Sequence, residues 1–147
     1  DLADPDDWVL VHDMARPCIT SADIKKLIDQ LQEHPVGGIL AVPVSDTLKK
    51  IQPVDIEQMS AIETTLDRSD FFAAQTPQMF RYGLLVRALE TMLEEQQLPT
   101  DEASAIEYIG DQVMIVEGRR DNIKITHPQD LVIAQAIMGY QEAELCE

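Results

Sequence analysis

The sequence predicts an α/β fold in which a mainly parallel β-sheet is covered by helices. Three short apolar runs, at residues 8–12, 39–44 and 112–118, are separated by segments whose apolar residues recur with helical spacing. Runs that are apolar at nearly every position are typical of strands buried on both faces, as in parallel sheets. The length of 147 residues suits one domain with a sizeable core.

The first strand, at residues 8–12, follows a polar segment that contains a proline. A helix is predicted after it, because Thr20 and Ser21 are favourable N-cap residues and the next apolar residues share one helical face. Those residues are Ile24, Leu27, Ile28 and Leu31. We expect this helix to end near residues 34–35, where two glycines then lead into the second strand, at 39–44.

The middle of the chain is more polar. Residues 46–68 alternate in short polar and apolar stretches, which predicts an extended β-hairpin rather than a core element. The segment 71–80 is apolar but contains a proline, and it is predicted as a loop flanked by core aromatic residues. Helical spacing returns at residues 84–93 and predicts a second helix.

Two helices and a strand complete the fold. A short helix is predicted between Thr100, as its N-cap, and Gly110, as its stop signal. The third strand follows. Thr126 and Gln129 form a capping-box pair that predicts a final helix, continuing over residues 130–140.

The composition limits the classes of function. There are 27 acidic and 11 basic residues, a formal charge of −16, which argues against a nucleic-acid surface. No apolar run approaches the roughly 18 residues that a membrane span needs. Cys18 and Cys146 lie far apart without metal-type spacing, so we expect reduced thiols in a cytoplasmic protein. A small phosphate-bearing ligand stays possible, because one nearby cation outweighs distant, screened carboxylates.

Polar residues follow the first strand directly. His12, Asp13 and Arg16 lie where this strand ends, and ligands bind at the carboxyl ends of strands in such sheets. The sequence therefore predicts a ligand site there. Taken alone, however, the residues leave a second interpretation open, in which Asp13 and Arg16 pair with each other to hold the turn before Pro17.

Five motifs resemble one known family. They are VLVHDMARP, GGILAVPVSDTLKK, TLDRSDFFAAQTPQMF, TDEASAIEY and VEGRRDNIKITHPQDL. In this order and spacing they resemble the 2-C-methyl-D-erythritol 4-phosphate cytidylyltransferases of the non-mevalonate isoprenoid pathway. The resemblance runs from about residue 8 to about residue 137 and implies a Rossmann-like nucleotidyltransferase domain.

The resemblance covers only the C-terminal part of that family. The family begins with a strand and a Gly-rich loop, containing an Arg and a Lys, that holds the CTP phosphates. No such loop occurs in this sequence, which has 6 glycines. We therefore expect residues 1–147 to be a single-domain fragment that lacks the N-terminal part of the fold and is inactive alone.

The reaction that the resemblance implies is attack of a sugar-alcohol phosphate on the α-phosphorus of CTP, with release of pyrophosphate. A phosphate monoester has its second pKa near about 6, so the nucleophile is already an anion and needs no general base. Catalysis then depends on positioning and electrostatic stabilisation. Mg²⁺ is expected as a cofactor held mainly through the CTP phosphates, and no metal-ligand residues are predicted in this chain.

The resemblance also implies roles for individual residues. Asp13, Arg16, Thr47 and Thr76 match positions that contact the substrate, and the backbone near Met14 matches one that lies against the ribose of the nucleotide. For Thr47 the residues alone would suggest only a common turn.

Two cations match catalytic positions that also contact the substrate. Lys124 lies between two isoleucines, a pattern that suggests a strand, and a lone lysine there is expected only where its ammonium group meets an anion. It matches a lysine near the reacting phosphates. Arg68 matches an arginine that the family's hairpin presents to the neighbouring subunit, where it holds the substrate phosphate; its alternative role is pairing with Asp67 or Asp70. Residues 46–68 are therefore expected to form a dimerisation arm, exchanged between the subunits of a homodimer.

Other polar residues are expected to be structural. His12 is predicted to be a structural imidazole, Gln78 an architectural residue and Asp101 part of a helix N-terminus. The family usually has one arginine where this chain has Arg119 and Arg120, and the second is expected to face solvent. Two alternatives to the whole assignment stay open. One is a cytidylyltransferase for ribitol 5-phosphate, and the other is a non-catalytic dimerisation or binding remnant.

Overall fold

The computed structural model describes residues 3–53 and 59–144. Its strands are β1 (Trp8–Val11), β2 (Gly37–Pro43), β3 (Lys49–Pro53), β4 (Ser60–Thr65), β5 (Phe72–Arg81) and β6 (Met114–Glu117). Its helices are α1 (Ser21–Leu31), α2 (Tyr82–Glu94), α3 (Glu102–Tyr108) and α4 (Pro128–Glu144), with a short 3₁₀ turn at Arg68–Asp70. The predicted alternation of strands and helices is confirmed.

Four strands form the central sheet in the order β1-β5-β2-β6. β5 is antiparallel to both β1 and β2, whereas β2 and β6 are parallel. Three strands therefore run in one direction with β5 running the opposite way between two of them. The prediction of a mainly parallel sheet is correct for the β2–β6 pair, but the other two pairings of these strands are antiparallel.

β5 is the reason for this difference. The segment was expected to be a loop because of Pro77, but it forms a ten-residue strand. Its pairing with β2 shifts between Ile39 and Ala41, which pair with Gln78 and Ala74, so residues 75–77 lie opposite Leu40 alone. Pro77 falls in this irregular stretch, where a missing N–H does not break a regular ladder.

The prediction of strands buried on both faces is correct for β2 and for the second half of β5. The edge strands β1 and β6 instead keep exposed apolar residues, among them Leu10 and Ile115. Ile39, Ala41 and Phe80 pack with α2 and α3 on one face. Leu40 and Met79 pack with α1 on the other. Neighbouring residues of one strand thus enter opposite layers, because side chains alternate along a strand.

The helix N-termini match the sequence at α1 and differ elsewhere. Thr20 caps α1 in a reciprocal capping box with Asp23. Asp101, rather than Thr100, caps α3 through a 2.9 Å bond from the Ser104 N–H. Before α4, Asp130 accepts the N–H groups of two preceding residues, so it takes the role predicted for Gln129. A carboxylate is the stronger acceptor for these free N–H groups, and it also suits the positive end of the helix dipole.

β3 and β4 form a separate two-stranded antiparallel sheet. This is the hairpin predicted within residues 46–68, of which 54–58 lie outside the described residues. Ile51 and Ile62 are opposite each other in register, and each is about 60% exposed, as is Met59 nearby. No helix in the described ranges is long and apolar enough to cross a membrane.

Candidate active site

A polar cavity of about 300 Å³ lies at the carboxyl end of β1. Its walls come from the turn after β1, the middle of β5, the start of α3 and the segment after β6. They comprise Asp13, Arg16, Ala74, Gln75, Thr76, Gln78, Thr100, Asp101, Glu102 and Lys124. Four of the predicted site residues, Asp13, Arg16, Thr76 and Lys124, therefore line one cavity although they are distant in sequence.

Arg16 is fixed by two backbone carbonyls. Its Nη1 donates to the Asn122 carbonyl at 2.8 Å and its Nη2 donates to the Ala74 carbonyl at 3.1 Å. Burial lowers the pKa of Arg16 and the nearby Asp13 carboxylate raises it, yet a guanidinium stays charged at neutral pH. The alternative that Arg16 pairs directly with Asp13 is not what the structure shows, since the side chain of Asp13 binds Lys124 instead.

Asp13 and Lys124 form an ion pair across the cavity. The Lys124 Nζ lies 2.8 Å from Asp13 Oδ2, and both side chains are between a third and a half exposed. The hydrogen bond from Lys124 is the main reason why the pKa of Asp13 is lowered. The sequence predicted that this ammonium group would meet an anion, and in the structure the anion is the carboxylate of Asp13.

Replacing Lys124 by alanine is expected to raise the pKa of Asp13 toward its ordinary value. Because the folded-state pKa is lowered, the ion pair stabilises the fold above the unfolded pKa of about 4, and this is lost as the pH falls through the lowered pKa. An NMR titration of the carboxyl carbons checks this. Asp67, whose pKa is lowered by hydrogen bonds from Ser69, is the control that should not move.

His12 and Thr76 form a short hydrogen-bonded chain beside Arg16. His12 Nε2 lies 3.1 Å from the Arg16 carbonyl, which can only accept, so Nε2 carries the proton. His12 Nδ1 then accepts from the Thr76 hydroxyl at 2.9 Å, and that hydroxyl oxygen accepts the Asp13 N–H at 3.0 Å. These contacts agree with a structural role for His12, because they orient Thr76 and the turn after β1.

The other predicted residues lie outside the cavity. Thr47 is exposed at the base of the hairpin, and Arg68 donates to the Ser45 carbonyl of the same chain. Met14 is 97% exposed on the turn beside Asp13. Asp67 accepts from Ser69 rather than from Arg68.

The two arginines after β6 differ in their surroundings. Arg119 forms a two-pronged ion pair with Asp121 and lies 3.9 Å from Asp23, which gives it a structural role. Arg120 is exposed, as predicted, and lines a shallow depression with residues 42–46.

Two buried amides support the cavity: Gln78, which was predicted to be architectural, and Asn122, which the sequence did not reveal. Gln78 is 1% exposed; its Nε2 donates to Asp101 at 2.9 Å and its Oε1 accepts the Ala103 N–H at 2.8 Å. Gln78 thereby fixes the start of α3 against β5. Asn122 is fully buried and bonds to Thr76. The sequence signal for Gln78 was its place between Pro77 and Met79, whereas Asn122 follows the charged residues 119–121 and gave no such signal.

Two cationic side chains and three carboxylates line the cavity. Arg16 and Lys124 face Asp13, Asp101 and Glu102. Within residues 3–53 and 59–144, no group of three or more His, Cys, Asp or Glu residues could hold a metal ion. The two cations can bind an anion, and the carboxylates can accept hydrogen bonds from hydroxyl groups. The described residues do not form a dedicated metal cage.

Helices on both faces of a sheet, with a polar, charged cavity at the carboxyl end of a strand, define an α/β protein with a candidate ligand site of the kind found in doubly wound folds. Residues 1–140 match the family described as IspD: 2-C-methyl-D-erythritol 4-phosphate cytidylyltransferase. The chain belongs to this family, and the resemblance seen in the sequence is confirmed.

Individual relatives agree with this result. A 2-C-methyl-D-erythritol 4-phosphate cytidylyltransferase of Thiobacillus denitrificans is 48% identical over 143 residues, which cover 97% of this chain and 60% of the relative. One of Acinetobacter baumannii strain SDF is 48% identical over 140 residues, covering 95% and 57%. The chain thus spans 57–60% of the length of these two relatives.

Solved structures give the same fold. The enzyme of that name from Francisella tularensis superposes with a TM-score of 0.82 at 38% identity, covering 93% of this chain and 62% of the other. A 4-diphosphocytidyl-2C-methyl-D-erythritol synthase superposes with a TM-score of 0.80 at 43% identity, covering 93% and 59%.

Proposed function

We propose that this chain forms the sugar-alcohol side of a cytidylyltransferase that couples CTP to 2-C-methyl-D-erythritol 4-phosphate and releases pyrophosphate. The observation that carries the proposal is the placement of Arg16, Thr76, Asp13 and Lys124 in one cavity of a chain that belongs to this family. The cations attract the phosphate, and the carboxylates offer acceptors for the hydroxyl groups of a polyol.

The chemistry needs charge stabilisation rather than proton removal. The attacking phosphate is an anion, and the reaction brings it against the negatively charged phosphates of a nucleotide. The Lys124 side chain is 48% exposed in its pair with Asp13, so its ammonium group can exchange this carboxylate for a phosphate oxygen. Arg16 keeps its place through two carbonyls and uses only part of its five N–H groups for them.

We further propose that Mg²⁺ takes part, held mainly through the CTP phosphates. Mg²⁺ is commonly bound by phosphates and water with only one or two carboxylates, and a carboxylate of the cavity such as Glu102 could supply that donor. When bound, the ion would offset the charge that builds up on the nucleotide.

The CTP phosphates themselves are proposed to bind to a part of the family fold that this chain does not span. The 147 residues contain no Gly-rich loop leading into a helix. Calorimetric titration of residues 1–147 with CTP and Mg²⁺ is therefore expected to show no micromolar binding, and micromolar binding would contradict this point.

Activity is tested in a full-length chain. Residues 1–147 are joined to the part of the Thiobacillus denitrificans relative that they do not span, and pyrophosphate release is measured with CTP and each polyol phosphate. Turnover with 2-C-methyl-D-erythritol 4-phosphate supports the proposal. A preference for ribitol 5-phosphate would favour a ribitol-5-phosphate cytidylyltransferase, and no turnover with either substrate would favour a binding remnant.

We propose a cytoplasmic location for the protein.

A homodimer with exchanged hairpins is part of the proposal. The pair Ile51 and Ile62, together with Met59, is exposed on a hairpin whose strands pair only with each other among the described elements. Exposed apolar side chains of this kind mark an interaction surface. Arg68, at the base of the hairpin, is the residue that each subunit would lend to the other.

Replacing Ile51 by lysine is expected to convert the dimer to a monomer, with dimer affinity falling at least about tenfold, since a buried charge on one side of an interface has no partner. Sedimentation velocity over a range of concentrations measures the change. The control is Leu98→Lys, because Leu98 is 85% exposed outside the hairpin. Equal dimerisation of both variants would contradict the arm assignment.

A further inference from the structure

The segment from Gly118 to Thr126 carries Lys124 but forms neither a helix nor a strand. Two backbone bonds hold its ends: the Gly118 N–H donates to the Ala41 carbonyl and the Ile125 N–H donates to the Ala15 carbonyl, each at 2.8 Å. The position of the middle of the segment must therefore come from other contacts. Asn122, two residues before Lys124, is the fully buried polar residue there.

Asn122 binds two different walls of the cavity. Its Nδ2 donates to the Thr76 carbonyl of β5 at 3.0 Å. Its own carbonyl accepts Arg16 Nη1 at 2.8 Å and, more weakly, Gln75 Nε2 at 3.4 Å. Since the Thr76 hydroxyl in turn accepts the Asp13 N–H, hydrogen bonds link Asn122 to Arg16, to Thr76 and to the turn that carries Asp13.

We propose that Asn122 is a positioning residue, whose side-chain amide sets the orientation of Arg16 and of the segment bearing Lys124. Without the bond to the Thr76 carbonyl, the Asn122 backbone is free to shift, and the carbonyl that holds Arg16 shifts with it. The consequence for substrate binding rests on the proposed function, whereas the effect on Arg16 does not.

The test reads the order of Arg16 directly. Arg16 Nε is buried, so its N–H is expected to give a resolved, slowly exchanging cross-peak in a ¹H–¹⁵N NMR spectrum of the protein. In Asn122→Ala this exchange should accelerate at least about tenfold, as expected for local opening. Asn122→Leu, which has a similar shape but neither an N–H donor nor a charge, should do the same even if the alanine variant is too unstable.

Two controls separate positioning from folding. The indole N–H of Trp8, the only tryptophan, reports the far end of the sheet, where Arg81 stacks 3.8 Å from its ring centre. Gln141→Ala removes another side-chain amide that donates to a backbone carbonyl, that of Cys18 at 3.0 Å. The Trp8 signal should persist in every variant, and Gln141→Ala should leave Arg16 unchanged.

Each outcome either supports or contradicts the positioning role of Asn122. An unchanged Arg16 signal in the Asn122 variants overturns the proposal, as does the loss of both the Arg16 and Trp8 signals, which would show a role in the whole fold.

Inorganic phosphate is then titrated into the protein. The Asn122 variants should bind it at least about tenfold more weakly than wild type, in line with loss of a charged hydrogen bond. If the wild-type protein does not bind phosphate while the exchange rate of the Arg16 Nε–H still depends on Asn122, the proposed function fails and the positioning role stands.

Discussion

Lys124→Ala is expected to lower kcat/KM for pyrophosphate release at least about a hundredfold in the reconstituted full-length chain, the loss typical of removing one charge-stabilising donor. Lys124 and Arg16 are the cations that line the cavity, and only Lys124 pairs with a group that a substrate phosphate can replace. The measurement is the rate of pyrophosphate release at varied concentrations of CTP and of the polyol phosphate.

Lys25→Ala is the matched control. Lys25 forms an ion pair with Asp29 at 2.7 Å, about as short as that of Lys124, but on the exposed face of α1. Such surface pairs contribute little, about 0–1 kcal/mol, so this variant should retain its rate within about twofold. If Lys124→Ala behaves like Lys25→Ala, the ammonium group takes no part in the reaction.

The layered fold could be predicted from the sequence because its signals are local. Apolar runs predicted strands, and Thr20 caps α1 as expected, although its capping-box partner Asp23 was not predicted. β5 was missed because Pro77 argued against a strand. Whether a proline is tolerated depends on the pairing of the neighbouring strand, and the shift opposite Leu40 is not visible in local sequence.

The cavity was predictable to a similar extent. Asp13 and Arg16 were found because a strand ends just before them, and Lys124 was found through its apolar neighbours and the family motif. Its segment, however, does not form the strand that this pattern suggested. Asn122 was not predicted, and Gln78 was predicted only as an architectural residue without named contacts. Their partners lie 46 and 23–25 positions away, so only the folded chain shows what they bind.

Gly37→Ala is expected to destabilise the fold by about 3–5 kcal/mol, a loss that is exceptional for one methyl group. Gly37 has a φ of +128°, which L-residues rarely adopt, and an added Cβ would lie 2.0 Å from the Met79 carbonyl oxygen. The neighbouring Phe80 Cα would be only 2.9 Å away. Both obstacles are backbone atoms of β5, so the methyl group fits only if β2 and β5 separate at their pairing.

Gly139→Ala provides the opposite expectation within the same chain. Gly139 lies in α4 and a Cβ there meets no atom within 4 Å, so alanine should stabilise the fold by about 0.5–1 kcal/mol through its better helix propensity. Urea unfolding followed by the fluorescence of Trp8 measures both variants. If Gly37→Ala unfolds at the wild-type urea concentration, β2 and β5 are not packed as closely as their register requires. The described position of the β5 residues that line the cavity would then be wrong as well.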